Sequence, residues 1–250
     1  MARTAAALVI GNEVLSGKIQ DTNSHDLARL LRSVGVELRR IVTVPDEPAV
    51  IVAALDSLRT SVDLVFTSGG IGPTHDDVTI DAIARAFERR TVQHPTLEAA
   101  LRAHYAERCS ADHLRMANVV EGTVLHHGED GAAPWPVMQV ENVFVLPGIP
   151  QLFRAQLDLI RHVVRDPDRS FVLACVLCRG DEPSLKAPLD DAVRAFADVS
   201  IGSYPRWFDR DEDGYSVKIT FDGADRARVN AAAEAFARAV EDRVVRVELA

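Results

Sequence analysis

Cysteine, positive charge and long hydrophobic runs are what this chain lacks. Its three cysteines, Cys109, Cys175 and Cys178, form an odd set without framework spacing, which excludes a disulfide scaffold and points to a reducing compartment. Cys175 and Cys178 do make a C-x-x-C pair, but inside the apolar run "FVLACVLC", with no second pair or histidine cluster beside it. Buried strand cysteines are therefore favoured over zinc or redox chemistry. Lys and Arg total 28 against 37 Asp and Glu, a net charge of -9 over 250 residues. That balance argues against general nucleic-acid binding, which needs clustered basic groups to neutralise phosphates. It leaves room for a small anion held by backbone N–H groups and a metal ion. No apolar run is long enough to span a bilayer, and the opening "MARTAAALVIGNEVLSG" has no signal-cleavage pattern. The expectation is a soluble, cytoplasmic protein without a membrane or nucleic-acid partner.

What is present is the composition of an ordinary globular protein, 47% hydrophobic and 26% charged, long enough for one large and one small domain. "TAAALVI" reads as a buried strand. The polar loop "GNEVLSGKIQDTN" follows, and then a helix opening near Thr22 to Ser24, with Leu27, Leu30, Leu31 and Val34 at helical spacing and Gly35 as its C-terminal cap. "VELRRIVTV" reads as a strand and "PDEPAVIVAALDSL" as a helix with Pro48 in its first turn. "VDLVFTSG" is a continuous apolar run of the kind expected for a parallel strand covered on both faces. "DDVTIDAIARAF" reads as a third helix with an acidic start. Helices are also expected in "HPTLEAALRAHYAER" and "PQLFRAQLDLIRHVVR", and strands in "TVLHH", "PVMQV" and "NVFVLPG". This alternation indicates an α/β domain of three layers around a largely parallel sheet, over residues 1–167. After the charged linker "RDPDRS", residues 168–250 read as a small α+β domain of order β-α-β-β-α, with "VRVEL" as a last strand.

Four polar or glycine- and proline-rich loops begin where these strands end, and open α/β sheets bind ligands beyond the carboxyl ends of their strands. The first carries Gly11, Asn12, Glu13, Ser16, Gly17 and Lys18. The second, "VPDE", carries Asp46. The third runs through Ser68, Gly69, Gly70, Gly72, Pro73, Thr74, His75, Asp76 and Asp77. The fourth, "LPGIP", carries Pro147 and Gly148. Glycines permit positive φ and let an anion approach the backbone, so the third loop reads either as a bare strand-to-helix turn or as a phosphate cradle. Asp76 and Asp77 read either as helix caps or, beside a phosphate, as oxygen ligands for Mg²⁺, Mn²⁺ or Co²⁺. His75 is an anion donor or an exposed turn residue. Asp46 is a helix N-cap or a second acid of the site, and Asp21 or Thr22 a cap. Tyr204 and Trp207, in "SIGSYPRW", read as small-domain core in preference to a base-stacking pair.

The stretches "GNEVLSGKIQDTNSHDLARLL", "VPDE", "TSGGIGPTHDDVT" and "LPGIP" together resemble the molybdopterin-binding family, which includes the MogA and MoaB cofactor-synthesis proteins and the N-terminal domain of CinA. "WPVMQVENVFVLPGIPQLFR" and "SIGSYPRW…GYSVKITFD" look most like the corresponding region of eukaryotic FAD synthase, so the resemblance covers nearly the whole chain. It implies a MogA-like fold and a nucleotide or pterin (molybdopterin) ligand. It makes Asp77 and Asp46 the acidic pair of the chemistry, with Asp76 and Asp77 on a divalent cation. It also implies self-association as a dimer or trimer. The activity implied is metal-dependent cleavage of the diphosphate of FAD, ADP-ribose or a related dinucleotide. The alternatives are a pterin- or nucleotide-binding protein without turnover and, less favoured, a molybdopterin adenylyltransferase. Where CinA-type proteins carry "APG" this chain has "GAAPWP", a departure from CinA proper. The FAD-forming and deamidase domains of the larger relatives are not in this sequence, so neither of those activities is expected.

Overall fold

The computed structural model describes residues 3–129, 131, 133, 135–206 and 214–250. It divides into two compact units, Met1–Asp168 and Arg169–Ala250. The first is built on a six-stranded sheet of order β2-β1-β3-β8-β7-β6. Its parallel part consists of β1 (Thr4–Ile10), β2 (Glu37–Val44), β3 (Leu64–Ser68) and β8 (Val143–Leu146); β7 (Val137–Val140) and β6 (Val124–His126) continue it antiparallel.

The apolar run of β1 is buried at every position because alternate side chains enter two different cores. Ala6, Leu8 and Ile10 join one core with Ile51 and Leu55 of α3 (Pro48–Arg59) and Ala82 and Ile83 of α4 (Thr79–Ala86). Ala5 and Ala7 join the other, with Leu27 and Leu31 of α2 (Asn23–Ser33) and Phe153, Leu157 and Ile160 of α7 (Pro150–Val164). Phe66 of β3 and Phe144 of β8 stack in that second core with ring centres 5.2 Å apart, an arrangement that adds to area burial. Small residues on β1 let helices approach both faces. The result is the expected three-layer α/β domain.

Several local expectations change. The loop after β1 is not wholly irregular: Asn12–Leu15 forms one helical turn, α1. Helix α4 begins at Thr79, so Asp76 and Asp77 lie ahead of it and cap nothing; its N-cap, Val78, contributes no side-chain bond. Asp46 does not cap α3 either, whose N-cap is Glu47. Asp21 does serve the start of α2, accepting from the Ser24 N–H at 3.0 Å, and Gly35 follows that helix at φ 82°. Between α4 and β6 the chain makes an excursion of which sequence periodicity showed only the helix in "HPTLEAALRAHYAER". A two-stranded ribbon of β4 (Thr91–Gln93) and β5 (Asn118–Val120) carries α5 (Pro95–Tyr105) and the short α6 (Ala111–Arg115).

The second unit is a four-stranded antiparallel sheet, β10-β11-β9-β12, from β9 (Val172–Cys178), β10 (Ser200–Pro205), β11 (Val217–Gly223) and β12 (Val244–Glu248). With α8 (Glu182–Ala195) and α9 (Arg226–Ala239) the order is β-α-β-β-α-β, a split βαβ arrangement. Val176, Cys178, Ile219 and Phe221 form its core with Leu185 and Phe236. Both strand cysteines are buried, and burial pushes the Cys178 thiol up to about 11, which removes the thiolate that metal or redox chemistry needs. Tyr204 is exposed, contrary to the core expectation, and Trp207 lies outside the described residues. No helix among the described residues is long and apolar enough to cross a membrane.

Candidate active site at the carboxyl edge of the parallel sheet

Because β1, β2, β3 and β8 run parallel, their four following loops emerge on one edge. The chain leaves β1 towards β2 on one side and pairs β1 with β3 on the other, so the strand order reverses at β1, where α/β sheets place ligands. Hydrogen bonds join the loops. Asp46 Oδ2 accepts from the Asn12 N–H at 2.8 Å, tying the second loop to the first. The Asn23 side-chain amide donates to Ser68 Oγ at 3.0 Å and to the Gly148 carbonyl at 2.9 Å, linking the start of α2 to the third and fourth loops. The Asn23 carbonyl oxygen is buried and has no protein partner among the described residues.

The third loop turns sharply. Gly69 has φ +102°, and a Cβ there would stand 2.3 Å from the Ile10 carbonyl oxygen; Gly70 has φ +66°, and its Cβ would stand 2.3 Å from Thr79 Oγ1. Only glycine meets both demands. Thr79, fully buried, donates its hydroxyl to the Gly69 carbonyl at 2.9 Å.

Asp77 closes this loop. Its Oδ1 accepts from the Gly72 N–H at 2.7 Å, and its Oδ2 from the Thr74 N–H at 2.7 Å. The Thr74 hydroxyl lies 2.5 Å from Asp77 Oδ2 and 2.6 Å from Asp76 Oδ1; it has one proton, which the two carboxylates share in turn. That bond is the main cause holding the exposed Asp76 carboxyl below its ordinary range, with the nearby His75 a lesser one. Two N–H groups that a glycine loop could offer to a phosphate are thus held by a carboxylate of the chain itself. The N–H groups of Gly70 and Ile71 make no hydrogen bond among the described residues.

Of the other sequence candidates, Glu13, Ser16, Gly17 and Lys18 lie exposed in the loop after β1, where Ser16 Oγ donates to the Glu13 carbonyl at 3.3 Å. Gly11 and Pro147 are buried, Pro73 is half-buried, and Gly148 is exposed. His75 is 97% exposed, an outward turn residue. Asp46 follows β2, and Asp76 and Asp77 follow β3, with β1 between those strands in the sheet. Among the described residues no group of three or more His, Cys, Asp or Glu side chains could hold a metal ion. The donor set fits a cation shared with a phosphate ligand, since Mg²⁺ commonly takes one or two carboxylates with phosphate oxygens and waters.

A small cleft of about 30 Å³ borders the third loop, lined by Gly70, Ile71, Gly72 and Asp77 and also by Arg115, Met116 and Asn118. The last three come from the excursion, where three-residue strands carry no legible periodicity. A wider, open hollow of about 560 Å³ lies at the amino end of β8. Its arginines are already engaged, Arg59 with Asp56 at 2.8 Å and Arg89 with Glu141, and it is remote from the four loops.

Comparison with known proteins gives two family matches: "probable molybdopterin binding domain" over residues 6–166 and "FAD synthase, middle domain" over residues 170–248. An Archaeoglobus fulgidus protein is 33% identical over 238 residues, covering 94% of this chain and 96% of its own length. A probable FAD synthase of Caenorhabditis elegans is 33% identical over 229 residues, 81% of this chain. The chain spans 44% of that relative's length. The crystal structure of CinA from Thermoplasma acidophilum, a protein of unknown function, superposes with a TM-score of 0.59 at 28% identity, covering 65% of this chain and 98% of that one.

Proposed function

The chain belongs to the probable molybdopterin binding domain family, followed by a FAD synthase middle domain, and from that premise we propose that it is a nucleotide pyrophosphatase acting on FAD, ADP-ribose or a related dinucleotide. The observation that carries the proposal is the glycine loop at the strand-order reversal, where unpaired Gly70 and Ile71 N–H groups stand beside a carboxylate pair. Donors and acids side by side suit a ligand that is itself a cation–diphosphate complex.

In this reading the Gly70 and Ile71 amides hold one phosphoryl group. Asp77 keeps the loop in shape through Gly72 and Thr74. Asp76, ionised at neutral pH and open to solvent, offers its carboxylate to the cation. When bound with substrate, a divalent cation (Mg²⁺, Mn²⁺ or Co²⁺) would neutralise the diphosphate and lower the pKa of an attacking water. Asp46 steadies the loop after β1 through the Asn12 N–H. Water adds at one phosphorus, the bridging P–O bond breaks, and the mononucleotide leaves.

One observation favours a second reading, a nucleotide- or pterin-binding protein without turnover: Asp46 and Asp77 are both spent on backbone N–H groups of the chain. Incubating the protein with FAD or ADP-ribose and each cation separates the two. AMP formed with the cation and suppressed by chelator is the expected result. Ligand bound but never cleaved, whatever the cation, leaves only the binding reading.

A further inference from the structure

Arg115 ends α6 and lines the same cleft as Gly70, Ile71 and Asp77. The two acids that share the cleft are already engaged. Asp77 holds Gly72 and Thr74, and Asp81 Oδ1 accepts the Thr91 hydroxyl at 2.8 Å. Among the described residues the Arg115 side chain makes no ion pair, no hydrogen bond and no ring contact. Its guanidinium carries five N–H donors in a fixed planar fork that matches phosphate oxygens.

The residues lining the cleft include Gly70 and Ile71, whose N–H groups have no partner, and Arg115, whose guanidinium has none among the described residues. Met116 and Met138 also line it, and their side chains bring no competing acceptor beyond weak sulfur ones. At about 30 Å³ the cleft is small.

We infer that Arg115 is a specificity-determining residue that binds the second phosphoryl group of a diphosphate ligand whose first is held by the Gly70 and Ile71 amides. The inference rests on the diphosphate reading of the site and names the group that distinguishes a diphosphate from a monophosphate. In an acidic protein the role needs one well-placed guanidinium, because charge-assisted bonds to phosphate are about twice as strong as neutral ones.

The test measures binding of inorganic pyrophosphate, ADP-ribose and AMP to the full chain with Mg²⁺, by calorimetry over a salt series, for the wild type, Arg115→Gln and Arg115→Lys. Arg115→Gln should weaken pyrophosphate and ADP-ribose about 10- to 100-fold, and AMP only a few-fold. It should also flatten the salt dependence and leave the thermal midpoint unchanged. Arg115→Lys should recover part of the affinity but not all of it, since it keeps the charge and loses the fork. Equal affinity of Arg115→Gln and wild type for pyrophosphate overturns the inference while leaving the pyrophosphatase reading intact. Equal losses for AMP and pyrophosphate overturn the diphosphate specificity, and a wild type that binds no pyrophosphate overturns the role altogether. Arg115-dependent pyrophosphate binding without any dinucleotide cleavage upholds it and sinks turnover alone.

Discussion

Gly69→Ala is the sharpest probe of the loop that carries the site. At φ +102° an alanine is strained, and its Cβ would stand 2.3 Å from the Ile10 carbonyl oxygen, where ordinary contact begins at 3.4 Å. The obstacle is backbone of β1, which pairs in register with both β2 and β3, so it cannot turn aside as a side chain would. A shift of about 1 Å must come from the sheet or the loop. Gly17→Ala is the control, because Gly17 has φ +71° with nothing within 4 Å of a new Cβ. It meets the backbone term alone, about 1–2 kcal/mol, partly offset by the stiffer unfolded chain. Gly69→Ala adds an overpacking term of about 1–3 kcal/mol, for a total of about 2–5 kcal/mol. Hydrogen exchange of the β1 and β3 amides reports the first unit separately from the second. At about 1.4 kcal/mol per tenfold, exchange should quicken several-fold in Gly17→Ala and about thirtyfold or more in Gly69→Ala. Equal effects of the two substitutions would refute the steric argument.

Other outcomes follow from the same geometry. Asp77→Ala frees the Gly72 and Thr74 N–H groups, so their exchange should rise about tenfold or more and AMP formation should fall about a hundredfold; unchanged protection at both amides would show that Asp77 does not hold the loop. In the second unit the Arg228 guanidinium holds Asp198 down to about 2, from an ordinary 3.8. A depressed carboxylate contributes stability that is complete above about 3.8 and lost as pH falls towards 2. Asp198→Asn should therefore remove part of the acid-induced loss seen by exchange in α9 between those pH values, and an unaltered pH profile would dismiss the pair as a contributor.

How much of this was legible depended on the length of each signal. The runs of β1, β3 and β8 and the stripes Leu27–Leu30–Leu31 and Phe153–Leu157–Ile160 repeat over several residues, so strands, helices and layers could be read from period alone. The one-turn α1 and the three-residue β4 and β5 are too short to show a period, and the Arg115 wall of the cleft was missed with them. Asp76 and Asp77 could be read as helix caps or as cation ligands, because acids before a helix serve either role. The sharp turn at Gly69 and Gly70 delays α4 to Thr79 and leaves Asp77 facing back to the Gly72 and Thr74 amides.

By itself the sequence determined which segments are apolar, with what period, and where glycine and proline interrupt them. That was sufficient to set a parallel sheet between two helical layers and to bring four loops to one edge, because side-chain alternation and strand direction are local properties of the chain. Only the tertiary structure decided what the loop groups do to one another. It gave the Gly72 and Thr74 amides to Asp77, left those of Gly70 and Ile71 open, tied Asp46 to the Asn12 N–H, and brought Arg115 to the cleft beside the glycine loop. Hydrogen bonds and charge pairs are decided within about 3–4 Å, and no linear pattern records such distances.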